Sequence, residues 1–202
     1  MKRALFLLLL VPSALTAQDK GEGPGRRGGM FDQDTILPAA TRAYSIGIIG
    51  YTGGTWQPSG VEAALLWRLS PRAPTSVGAT LSLGSFSQAN AVLFGQSQGF
   101  FVSLGATLRQ PLLDIASVGS ERNPGALKLV ASADVAGTAD IHSPLPQGPW
   151  GARASAMLGL TFGGADPLGQ SVGIFVGPAV LLGRVSTTHG ELAFRLSMPL
   201  RH

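Results

Sequence analysis

The sequence predicts an all-β fold, an eight-stranded antiparallel up-and-down transmembrane β-barrel with its apolar face turned to lipid. Three observations lead there. Apolar residues recur at every second position in six segments and less regularly in two more, which is the strand period. Each segment runs 9 to 13 residues. Soluble strands are usually about 5–6 residues long, and a tilted membrane strand needs about 9–11. The alternate positions are filled by Gly, Ser, Thr and Ala rather than by Lys and Glu, and only 13% of the 202 residues are charged, against about 25% in an ordinary soluble domain.

In chain order, residues 1–17 read MKRALFLLLLVPSALTA. Lys2 and Arg3 precede an apolar run from Ala4 to Val11, Pro12 breaks it, and Thr16-Ala17 supplies small residues before Gln18. The run is too short to span a bilayer, and the pattern is that of a secretory signal peptide. Its removal takes two of the 15 basic residues and leaves 13 against 11 acidic ones. The basic balance therefore does not point to nucleic acid, and no helix carries a basic stripe. Residues 18–41 contain GEGPGRRGG, a Gly-rich, flexible N-terminal segment in which Arg26 and Arg27 read as solvated. The barrel is expected over residues 42–202.

Eight strands are expected, at about 43–51, 60–69, 75–84, 99–109, 126–136, 150–162, 172–183 and 190–200. In the second, Val61, Ala63, Leu65, Trp67 and Leu69 share one face, and Glu62, Ala64, Leu66 and Arg68 the other. The third sets Val77, Ala79, Leu81 and Leu83 against Ser76, Gly78, Thr80, Ser82 and Gly84, and the fourth sets Phe100, Val102, Leu104, Ala106 and Leu108 against Phe101, Ser103, Gly105, Thr107 and Arg109. The fifth opposes Leu127, Leu129, Ala131, Ala133 and Val135 to Lys128, Val130, Ser132, Asp134 and Ala136; the sixth opposes Ala152, Ala154, Ala156, Leu158 and Leu160 to Arg153, Ser155, Met157, Gly159 and Thr161. The eighth has Leu192, Phe194, Leu196 and Met198 opposite Glu191, Ala193, Arg195 and Ser197. The first segment alternates only in its first half, and the seventh holds Pro178 mid-strand, where a bulge or kink is expected. Turn-rich pieces separate the strands, among them QPLLDIASVGSERNPG after the fourth.

Small residues suit the crowded lumen of a narrow barrel, and the uncharged apolar face suits lipid, where a charge costs a few kcal/mol near the midplane. Leu65, Leu81, Leu104, Leu129, Leu158 and Leu196 should then face outward. Aromatics near strand ends, Tyr44, Trp67, Phe100, Trp150 and Phe162, would form an interface girdle. Closure removes the unpaired edges that hydrocarbon does not tolerate.

Together these features resemble the small outer-membrane β-barrels of the OmpA/OmpX type. The resemblance lies in pattern over residues 42–200: a signal peptide, no Cys, and eight alternating Gly-rich strands. It implies Sec export, insertion in the outer membrane of a didermic bacterium, and contact with outer-membrane lipid and lipopolysaccharide. A monomer is expected, and the soluble domain that follows the barrel in many relatives is not expected here, since nothing follows residue 202. The last residues, Phe194 to His202, keep the alternation but lack the terminal aromatic usual in such barrels.

Charges on the lumen face are the candidate site: Glu62, Arg68, Arg109, Lys128, Asp134, Arg153, Glu191 and Arg195. With the N-terminus periplasmic, Glu62, Asp134, Arg153 and Glu191 fall toward the outer mouth. Arg68, Arg109 and Lys128 fall toward the periplasmic end, and Arg195 lies nearer the middle. A hairpin near Ser143 and Pro144 sets Asp134 almost opposite Arg153. Buried charges must be paired, so the expected role is a structural ion-pair network that fills the lumen. The alternative is a narrow ion channel gated by Glu/Arg pairs. A third reading, a lipid-modifying enzyme, would use His189 in a predicted loop with Ser186 and Glu191. No motif marks a metal or cofactor site, and none is expected: Cys is missing, and His142, His189 and His202 are scattered. The outer loops, 52–59, 85–98, 140–149 and 184–189, hold Trp56, Val92, Leu93 and Phe94, as contacts either for a protein partner or for the lipid surface. The expected function is a non-enzymatic structural or surface-interaction role.

Overall fold

The sequence's alternation becomes eight antiparallel strands: β1 (Arg42–Thr52), β2 (Trp56–Arg68), β3 (Ser76–Gln88), β4 (Ser97–Ser120), β5 (Asn123–Ile141), β6 (Trp150–Gly164), β7 (Ser171–Gly183) and β8 (Thr187–Pro199). The computed structural model describes residues 40–53, 56–70, 73–88, 97–120, 123–142, 150–164, 166, 168–183 and 185–200. The signal peptide, the segment through residue 39, and Val92, Leu93, Phe94 and His202 lie outside the described residues. Each strand pairs with its sequence neighbours, and β1 pairs with β8, so the sheet closes. The architecture is all-β, an eight-stranded up-and-down barrel.

Register sets its girth. Paired positions lead from Lys128 through Thr161, Gly173, Arg195, Gly47, Glu62, Ser82 and Ser103 back to β5 at Thr138, ten residues further on. A shear of ten on eight strands gives a tilt of about 40° and a Cα radius of about 8 Å. A 13-residue strand such as β2 then spans about 33 Å along the axis, close to the roughly 30 Å of a bilayer's hydrocarbon.

Side chains sort by face as the period requires. Leu65, Leu81, Leu104 and Leu158 are exposed on the outside, and Leu129 and Leu196 are half-buried there. Arg109, Arg153 and Arg195 are buried inside. β1 alternates throughout: Tyr44, Ile46 and Ile48 face out, while Ala43, Ser45, Ile49 and Tyr51 are buried. The pattern was obscured because its inward face turns apolar at Ile49 and Tyr51. The lumen therefore carries more than small residues. Phe86 and Phe101 stack edge to face, with ring centroids 5.7 Å apart, and Met157, Phe175 and Leu181 are also buried.

Several expectations change. β4 and β5 run well beyond 99–109 and 126–136 into the stretch read as turn. Register shifts between Pro111 and Leu113 and between Asp114 and Ala116 destroy the sequence period there while pairing continues. Past Arg109, β4 has left β3 and keeps β5 as its strand partner. It extends at the end of the barrel that carries the chain termini, with Leu112, Leu113 and Ile115 exposed. β7 is not bulged at Pro178. Its ladder with β8 runs straight through, and only the β6 pairing lapses, between Ser155↔Ala179 and Leu158↔Val176, without a change of register. A missing N–H interrupts one ladder at that point but need not bend the strand. Trp56 is not a loop contact: it begins β2 and packs, partly buried, on the lumen cluster.

Candidate functional site

The charged layer is built by four strands that each turn one or two ionic side chains inward: Glu62 from β2, Asp134 from β5, Arg153 from β6, and Glu191 with Arg195 from β8. Gly60 stands on β2 itself and Gly47 and Gly173 on β1 and β7, and a Cβ added at any of them would run into backbone or side chains. The small residues are thus what leaves room for the large charged ones.

Arg195 lies at the centre. It donates from Nε to Glu62 Oε1 at 3.0 Å, from Nη2 to Asp134 Oδ2 at 2.7 Å, and from Nη1 to Ser132 Oγ at 3.0 Å. Its guanidinium stacks over the Phe175 ring at 5.1 Å. Arg153 donates to Glu62 Oε2 at 3.2 Å, to Glu191 Oε1 at 3.4 Å, to Ser82 Oγ at 3.3 Å, and to the Tyr51 hydroxyl. Glu62 therefore bridges both arginines, and all five ionic side chains are at most 2% exposed. With a Cα radius of about 8 Å, these groups meet across the lumen. Three carboxylates and two guanidiniums leave one negative charge. Arg109, buried nearby, balances it.

The remaining sequence candidates do not join this cluster. Arg109 bonds to hydroxyls, to Ser45 Oγ at 3.3 Å and Ser197 Oγ at 3.4 Å. Lys128 approaches Asp114 of the β4 extension at 3.9 Å. Arg68, at the end of β2, pairs with Asp166 between β6 and β7 and donates to the Ala40 carbonyl at 3.1 Å. The anticipated meeting of Asp134 with Arg153 does not occur. Asp134 sits opposite Ser155, and Arg153 opposite Ala136. A two-residue offset on a tilted sheet sends each to a different partner.

Sequence reasoning missed Tyr51, Ser82, Ser132, Asp114 and Asp166. The inward parity of Ser82 and Ser132 was legible. Asp114 and Asp166 lie in stretches without period, so nothing marked them.

Of the girdle, Tyr44, Phe100 and Phe162 are exposed and Trp67 is half-buried. Tyr44, Trp67 and Phe162 lie at the terminal end and Phe100 at the other. Trp150 begins β6, and its side chain is outside the described residues. His189 is not in a loop: it belongs to β8, faces the lumen, and bonds through Nε2 to Thr187 Oγ1 at 3.0 Å. Ser186 is exposed just before the strand, and Glu191 is engaged by Arg153, so the three form no relay. Among the described residues no group of His, Cys, Asp or Glu could hold a metal ion.

A scan of the sequence against protein-family models finds no match, and neither does a search of curated proteins.

Proposed function

We propose that this chain is a small outer-membrane β-barrel protein without enzymatic activity, closed to solutes, that acts as a structural element or through surface contacts. One observation carries the membrane part. All eight strands turn exposed apolar side chains outward, including Ile48, Val61, Leu81, Leu104, Val135, Leu158, Val176 and Phe194, while the charged layer is interior. Soluble monomers rarely expose apolar patches larger than a few hundred Å², and lipid covers such a belt without cost. The signal peptide read at residues 1–17 supports export, and the pattern's resemblance to small outer-membrane barrels points the same way. The closed lumen is supported by the side chains of Glu62, Asp134, Arg153, Glu191 and Arg195 meeting across it. The non-enzymatic reading is supported by His189, whose bond goes to Thr187 and not to a nucleophile–base pair.

Fractionation of expressing cells tests location: the mature chain is expected with the outer membrane, and its recovery in the soluble periplasm would refute the proposal. Planar-bilayer recording tests the lumen. The refolded protein should be silent. Sustained conductance, altered by combining Glu62→Ala with Glu191→Ala, would replace the closed barrel by a channel gated at this layer.

A further inference from the structure

Arg109 is the odd member of the interior. It is 7% exposed, yet among the described residues no carboxylate lies within ion-pair distance of it, whereas Arg68, Lys128, Arg153 and Arg195 each have one. Its bonds go to the hydroxyls of Ser45 and Ser197, and its Nε–H has no partner. A guanidinium has only donors, so each serine oxygen must accept from it. That leaves the serine O–H protons free to donate, and neither has an acceptor among the described residues. Donors therefore surround a buried positive charge whose balancing carboxylates, Glu62, Asp134 and Glu191, are all held at a distance by Arg153 and Arg195. A buried guanidinium is stabilised by a direct counter-group.

Beside it is space. A cavity of about 40 Å³ opens at the terminal end of the lumen, lined by Arg109, Lys128, Arg195, Ser197, Thr161 and Phe175 among others. One water needs roughly 10–15 Å³ by the same measure, so this space holds a single small ion with a water or two. It is too small for a lipid headgroup. Asp166 also lines it, but that carboxylate is taken by Arg68, and the charge of Arg195 is met by Glu62 and Asp134. The cavity's field is positive through Arg109.

We infer that this terminal vestibule of the lumen is a binding site for a small inorganic anion of chloride size, held by Arg109 and the hydroxyl of Ser197. The ion meets the guanidinium directly, at a place in the interior where no carboxylate of the described residues comes within ion-pair distance.

Bromide replaces chloride for detection. Crystals of the full mature chain, refolded in detergent and grown with sodium bromide, should show an anomalous peak within hydrogen-bond distance of the Arg109 guanidinium. Arg109→Gln should abolish it, and Ser197→Ala, which keeps the guanidinium, should lower its occupancy. In solution, the urea midpoint of the wild-type barrel should be higher in sodium chloride than in sodium gluconate at equal ionic strength, and the difference should vanish in Arg109→Gln. If that variant does not fold, Ser197→Ala must reduce the chloride effect. No bromide peak in the cavity, a peak that persists in Arg109→Gln, or a chloride effect unchanged in the variants would each overturn the inference.

Discussion

Replacing Glu62 by Gln tests the charged layer where it is most connected. The carboxylate accepts from Arg195 at 3.0 Å and from Arg153 at 3.2 Å, and it is 2% exposed, so water does not screen the loss. Glu62→Gln keeps the shape but removes one of the three negative charges that balance Arg109, Arg153 and Arg195. Breaking a buried pair from one side costs about 3–5 kcal/mol, because the abandoned charge stays buried. The glutamine oxygen still accepts one hydrogen bond, which places the expectation near the lower end, about 3 kcal/mol. Total stabilities are about 5–15 kcal/mol, so the loss is large. The assay is equilibrium urea unfolding of the barrel refolded in lipid vesicles, followed by tryptophan fluorescence. Arg195→Gln is made alone and with Glu62→Gln. The double variant should lose less than the sum of the singles by about 1–3 kcal/mol, since each single strands the other's charge. A single cost below about 1 kcal/mol, the value of an exposed pair, or strict additivity, would refute the claim that this layer is a dry, interlocked network.

Three further outcomes follow from the same structure. Leu104→Arg, at a position 67% exposed on the outer belt, should cost about 2–4 kcal/mol in vesicles if lipid covers it, whereas a soluble surface would register within about 0.5 kcal/mol; vesicle unfolding midpoints decide. Gly159→Ala would drive a Cβ into the Phe175 ring and the Ile174 carbonyl, and the overpacking should cost about 1–3 kcal/mol in the same assay. Tyr51→Phe removes a hydroxyl bonded to Arg153 and should cost about 1–2 kcal/mol, with Arg153 still held by Glu62 and Glu191; a loss as large as that of Glu62→Gln would contradict the ranking.

The barrel was legible because one physical rule, two faces per strand, is written into nearly every strand. Glu62, Asp134, Arg153, Glu191 and Arg195 could be placed inside by parity alone. Which of them meet could not be read, because pairing across a lumen depends on shear, and shear is a sum of registers fixed only when the sheet closes. Asp134 finds Arg195, 61 residues away, rather than Arg153 on the adjacent strand. The β4 extension escaped for a local reason: two bulges move Leu112, Leu113 and Ile115 out of phase, and a period-two reading stops at the first break. Arg109 was placed inward correctly, but its lack of a carboxylate is a fact about all its neighbours together.

The sequence position of Arg195 and Glu191 has a consequence for how the protein comes into being. Both lie on β8, which follows the other seven strands in chain order. Until it docks, Asp134 lacks its ion-pair partner Arg195, and Arg153 lacks Glu191 and keeps Glu62. A seven-stranded assembly is therefore electrically unfinished as well as open along two edges. Committing β8 removes both defects in one event, so half-built barrels should be short-lived and the last step decisive. The charges that obstruct the lumen of the finished molecule also serve as its clasp.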